Sequence, residues 1–81
     1  MAQASPKIRR ALAIAIRELR ARRGMTQEDL SAAAGRSRGF ISELESGRRN
    51  ASFEGVVAVA QALDIPVEEL GRVFDARLAE Q

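Results

Sequence analysis

Cysteine and histidine are both missing from this chain of 81 residues. Without thiols there are no disulfides and no cysteine zinc sites, and without imidazole the commonest general acid/base group is gone as well. No metal site and no cofactor are expected. A glycine-rich phosphate loop is also missing and the carboxylates are scattered, so the pattern argues against an enzyme. Long apolar runs are absent too. The opening stretch MAQASPKIRRALAIAI starts basic and turns apolar, but Glu18 and several arginines follow too soon for a signal or membrane span. The expectation is a cytoplasmic protein with no membrane attachment.

No internal repeat or low-complexity linker interrupts the chain. One domain is expected over residues 1–81, with a core from about 6 to 78 and short tails. A domain of this size buries only about 60% of its unfolded surface, so its core must be economical.

What is present is charge, unevenly placed. Residues 1–50 carry eleven Lys/Arg against five acids, a net +6, whereas residues 51–81 carry two Arg against six acids, a net −4. That polarity suits a protein with one face on a polyanion, and it suits an ordinary soluble surface about equally well.

The pattern reads as five helices and no strands. Ser5-Pro6 opens the first, with a capping hydroxyl and a proline that has no amide to lose. Ile8, Leu12, Ile16 and Leu19 recur at helical spacing beside Ala11 and Ala15, and Gly24 closes the helix after a cationic last turn. Thr26 caps the second helix, whose first turn holds Glu28 and Asp29, and which runs to about Ala34 with Leu30 and Ala34 inward. Gly35 turns the chain, and Ser37 is expected to cap a third helix from about Arg38 to Ser46, ended by Gly47. Ser52 caps the fourth, with Phe53, Val56, Val57, Ala60 and Leu63 spaced for burial. Asp64-Ile65-Pro66 breaks the chain, and a fifth helix starts near Val67 with Leu70, Val73, Phe74 and Leu78 along its apolar side.

Two short helices joined by a tight turn, written by MTQEDLSAAAGRSRGFISELESGRRN over residues 25–50, form a helix-turn-helix. At about 100° per residue, Ile41, Leu44 and Glu45 fall on one side of the third helix. Gly39, Ser42, Glu43 and Ser46 fall on the other, with Arg38 at the exposed end. A slim polar face of that kind lets a helix sit deep in a DNA major groove. A merely solvated face is the competing reading.

Gly24 to Leu30, Ala34-Gly35, Ser37-Arg38, Ile41-Ser42, Leu44-Glu45 and Gly47 together resemble the phage-repressor/Cro type of helix-turn-helix domain, the XRE family. The likeness continues through Ser52, Ala60, Ala62-Leu63 and Glu69-Leu70. Within the family the run ISELESGRRNAS is most similar to restriction-modification controller proteins. The resemblance implies an all-α, five-helix lambda-repressor-like fold and a transcriptional regulator of double-stranded DNA. Such a protein binds a palindromic operator as a homodimer and needs no small-molecule ligand. The alternative is an antitoxin, which binds DNA and also neutralises a toxin partner.

It also implies site residues. Thr26, Gln27, Arg36, Ser37, Arg38, Gly39, Ser42, Glu43, Arg48, Arg49 and Asn50 match DNA-binding positions. Gln27 corresponds to a phosphate contact, Arg38, Gly39, Ser42 and Glu43 to base readers, and Arg48-Arg49-Asn50 to a phosphate-gripping loop. Arg20 and Glu45 match a structural ion pair between the first and third helices. The apolar side of the fifth helix, Val67, Leu70, Val73, Phe74 and Leu78, is the expected dimer surface and also the natural place for the rest of the core.

Several residues depart from the pattern. Gly39 is expected inside the third helix, where it costs about 1 kcal/mol relative to Ala. Ser31 stands where Ala is usual at the closest helix approach, and Ala51 where Pro is frequent. Arg36 replaces an apolar turn residue, with its stem free to reach toward phosphate.

Overall fold

The computed structural model describes residues 5–81, so the tail expected before Ser5 lies outside the described residues. Among the described residues there are five helices and no strand: α1 Pro6–Arg22, α2 Gln27–Ala33, α3 Phe40–Glu45, α4 Phe53–Ala62 and α5 Val67–Ala79. None is long and apolar enough to cross a membrane.

The local signals act largely as the sequence predicts. Ser5 Oγ accepts the Ile8 amide at 3.2 Å, Pro6 occupies the first turn, and Ser52 Oγ accepts the Gly55 amide at 3.0 Å. Gly35, at φ +69°, turns α2 toward α3 in a conformation that a side chain would strain. The end of α4 is different. Asp64 takes the left-handed conformation at φ 58°, and its carbonyl accepts Arg23 Nη2 at 3.0 Å, so the first and fourth helix ends are tied together.

α1 is the spine. It packs against both α5 and α3, while α4 bridges α2 and α5. Its alanines let these neighbours come close: Ala11, Ala15, Ile16 and Leu19 are buried, whereas Ile8 is 41% exposed and Leu12 half-buried, so the inward stripe lies to one side of the expected one. Leu30, Ile41, Leu44, Val59, Leu63 and Leu70 complete the core. Burial of each such side chain contributes about 1.5–3 kcal/mol.

α4 departs furthest from expectation. Phe53 is 74% exposed and Val56 and Val57 are half-buried, and the buried positions are Gly55, Val59, Ala60 and Leu63. The cause is Phe40, a residue without an assignment in the sequence pattern, which is 8% exposed and lies against the first turn of α4. A Cβ on Gly55 would stand 3.6 Å from its ring. With that space occupied by an aromatic from α3, Phe53, about 200° away around the helix, faces outward.

Candidate nucleic-acid interface

α3 is shorter than expected, and its start is built differently. Gly39 is the N-cap, at φ −87°, so it lies outside the helix and the interior penalty for glycine does not apply. Ser37 does not cap the helix. Ser31, buried in α2, does so from outside: its Oγ accepts the Ile41 amide at 3.2 Å. The cap position carries no side chain of its own, so a hydroxyl from the neighbouring helix satisfies an orphan amide of α3. This explains a serine at the closest approach of the two helices, where Ala34, expected inward, is only half-buried.

The far end of α3 is held by α1. Arg20 Nε and Nη2 donate to Glu45 Oε2 and Oε1 at 2.6 and 2.9 Å, and Arg20 Nη1 donates to the Met25 carbonyl at 2.8 Å. The pairing expected from the resemblance is therefore present. The Glu45 side chain is 3% exposed and that of Arg20 19%, so each strongly needs the other. The hydrogen bond to Glu45 raises the Arg20 pKa above its ordinary value, against the opposing pull of burial. Two further guanidiniums reach the end of the helix: Arg17 Nη2 donates to the Glu45 carbonyl at 2.9 Å, and Arg9 Nε to the Gly47 carbonyl at 3.0 Å. Cations at a helix C-terminus complement its dipole and its unsatisfied carbonyls. The spacing of Arg9, Ala13, Arg17 and Arg20 along one face of α1 carried this signal.

With both ends fixed, α3 turns Ile41, Leu44 and Glu45 inward and leaves Gly39, Ser42, Glu43 and Ser46 exposed, as the helical rotation predicts. Beside that exposed side lies an open hollow of about 570 Å³ lined by Arg20, Thr26, Gln27, Glu28, Arg38 and Gly39. A second hollow, of about 390 Å³, is lined by Glu43, Arg48 and Arg49. Thus Thr26, Gln27, Arg38 and Gly39 are brought together, and so are Glu43, Arg48 and Arg49. Ser37 and Asn50 are exposed but line neither hollow.

The polar groups in these hollows are already organised. Gln27 Nε2 donates to Glu45 Oε1 at 3.0 Å, so the carboxylate that binds Arg20 also aims Gln27. Thr26 and Asp29 form a reciprocal cap: Thr26 Oγ1 accepts the Asp29 amide at 2.9 Å, and Asp29 Oδ2 accepts the Thr26 amide at 3.1 Å. The hydrogen bonds from the Thr26 backbone and side chain hold the Asp29 carboxyl below its usual pKa. Arg38, with an 86% exposed side chain, pairs with Glu28 at 2.5 Å. Arg48 Nε donates to Ser46 Oγ at 3.1 Å.

Arg36 is directed toward α4. Its guanidinium lies 5.5 Å from the centre of the Phe40 ring and 3.6 Å from the Glu54 carboxylate. The cation and the ring replace the apolar packing of the turn, an arrangement worth about 0.5–1 kcal/mol at a surface. Arg36 therefore belongs to the packing between the turn and α4.

The expected dimer residues separate in the same way. Leu70 is 1% exposed and belongs to the core of the single chain, so it has no surface to offer a partner. Val67 is 38% exposed, and Val73, Phe74 and Leu78 are half-buried. An apolar groove of about 450 Å³ runs between α1, α4 and α5, lined by Ile8, Leu12, Phe53, Val56, Val67 and Phe74 among others.

Known proteins share this architecture. A family model described as helix-turn-helix matches residues 16–70. An uncharacterised HTH-type transcriptional regulator of Sinorhizobium fredii, y4dJ, is 42% identical over 52 residues, spanning 64% of this chain and 68% of that protein. The clp gene regulator ClgR of Corynebacterium glutamicum superposes with a TM-score of 0.84 at 36% identity, over 91% of this chain and 79% of that one. The restriction-modification controller protein C.AhdI of Aeromonas hydrophila superposes with a TM-score of 0.74 at 35% identity, over 76% of this chain and 94% of that one.

Proposed function

Because the chain belongs to the helix-turn-helix family of XRE type, whose members are DNA-binding transcriptional regulators and not enzymes, we propose that it binds a palindromic operator as a homodimer, with α3 as the recognition helix. The observation that carries this reading is the anchoring of α3. One end is capped by Ser31 and the other is tied by Arg9, Arg17 and Arg20, and the face left free is small and polar. A helix held rigidly with a slim outer side suits insertion into a major groove.

Gln27, oriented by Glu45, and Thr26 take backbone phosphate on one side of the groove, and Arg48, Arg49 and Asn50 take it on the other. Arg38 reads a guanine edge, a bidentate contact worth about 1–3 kcal/mol of discrimination. In the free protein its guanidinium pairs with Glu28. A single helix-turn-helix covers one half-site, and a second copy supplies the other about one helical turn away. The groove between α1, α4 and α5 supports that pairing. Phe53 forms part of its wall and is 74% exposed, so a two-fold axis would let the ring of each copy pack into the groove of the other. Similarity to C.AhdI supports a restriction-modification controller role, for which a neighbouring restriction enzyme and methyltransferase gene is the genomic check.

The experiment is in vitro selection of bound DNA, followed by footprinting and titration across salt. A symmetric protected site is expected, with affinity falling steeply as ionic strength rises. Arg38→Ala should relax preference at one base position, whereas Arg48→Ala should weaken all sequences alike. Salt-insensitive binding, or none, would sink the proposal, and identical behaviour of the two variants would remove the division between base reading and phosphate contact.

A further inference from the structure

Glu43 is the one acid on the exposed side of α3, in the half of the chain that carries the net charge of +6. Its side chain is 49% exposed, its Oε1 accepts Arg49 Nε at 2.7 Å, and Arg49 Nη2 lies 2.7 Å from the same oxygen in an ion pair. Arg49 is thereby laid over the Phe40 ring, its guanidinium 5.2 Å from the ring centre, with Arg36 at 5.5 Å from the same ring. A guanidinium fork beside the outer face of α3 is thus engaged by a carboxylate of its own protein before any polyanion arrives. Carboxylate and phosphate compete for such a fork because both accept its parallel N–H groups.

We propose that Glu43 is a specificity-determining residue: its carboxylate mimics a phosphate, withholds Arg49 from arbitrary DNA, and gives it up on a duplex that offers Glu43 a cytosine amino group. On an arbitrary duplex, moving Arg49 to a backbone phosphate exchanges one anion for another and leaves the Glu43 carboxylate facing a polyanion without its paired guanidinium, while Arg48 in the same hollow is held by Ser46 Oγ. The exchange is then unfavourable. Where a cytosine lies opposite Glu43 in the major groove, its N4 amino group donates to the freed carboxylate, and Arg49 is released to phosphate. Discrimination comes from a repulsive element that only the right site relieves. This inference rests on the proposed placement of α3 in the groove.

The test compares wild type with Glu43→Gln and Glu43→Ala by equilibrium binding to two probes, a random-sequence duplex and the duplex enriched by selection with the wild type, between about 50 and 200 mM salt. Both variants should bind the random duplex about fivefold more tightly near 0.15 M salt, the worth of one additional neutralised phosphate, with a salt dependence steeper by about 0.9. The enriched duplex, on which the wild type has already released Arg49 and Glu43 holds the cytosine, should not gain, so the ratio between the two probes falls. In an Arg49→Ala background the gain should shrink, because no arginine remains to be released. Unchanged or weaker binding of both variants to the random duplex would overturn the inference, and so would a gain that persists undiminished without Arg49. Failure of the wild type to bind either probe would instead overturn the DNA reading itself.

Discussion

Glu45 shows how much one side chain can organise. Its carboxylate receives Arg20 and Gln27 while its carbonyl receives Arg17, so α1, α2 and α3 are joined at a single residue. The Arg20 pairing was legible in the sequence because the residues match a family pattern. The Gln27 bond was not, since which way an amide points depends on a neighbour that is 18 residues away. Asp29 offers a separate readout at this scale. Its folded-state pKa is depressed by Thr26, so its contribution to stability is present above the unfolded value, near about 3.9, and is lost as pH falls through the folded value. Asp29→Asn removes that charge. The melting temperature of the variant should therefore lie below that of wild type at neutral pH, and the two should converge as pH drops below about 4. A gap that stays constant down to acid pH would show that the carboxylate charge has no part in the cap.

At the scale of elements, helix ends were more legible than helix faces. Gly24, Gly35 and Gly47 and the caps at Ser5, Thr26 and Ser52 act locally, through backbone angles and hydrogen bonds within a few residues, so a linear reading finds them. The start of α3 is the exception. Its cap comes from Ser31, ten residues upstream on another helix, and no local rule points there. Ser31→Ala should cost about 1 kcal/mol, the usual value of an N-cap, and should weaken DNA binding together with stability. Thermal melting and DNA titration on the same preparation provide the check. An unchanged melting point would mean that the Ile41 amide finds another acceptor. Faces are harder because periodicity gives the spacing of apolar residues without saying which of two adjacent stripes turns inward. α4 shows this most clearly, where the ring of Phe40 displaces Phe53 to the surface.

At the scale of the whole molecule, the exposed Phe53 makes oligomerisation the property most open to measurement. Phe53→Asp should leave helix content and melting temperature of the single chain nearly unchanged, since the ring is 74% exposed. By sedimentation it should shift a dimer toward monomer and reduce affinity for a two-half-site duplex more than for a single half-site. A wild type that sediments as a monomer at all concentrations would remove the dimer proposal. What the sequence determined by itself was the number of helices, the caps at Ser5, Thr26 and Ser52, the turn at Gly35 and the polar outer side of α3, because each follows from contacts within a turn or two of the chain. What only the tertiary structure decided was where the side chains of Phe40, Phe53, Ser31, Leu70 and Arg49 go. Each answer depends on which surface, hydroxyl or carboxylate another helix brings alongside, and that is set when α3 and α5 pack on the slim alanine face of α1 and α2 and α4 close against them.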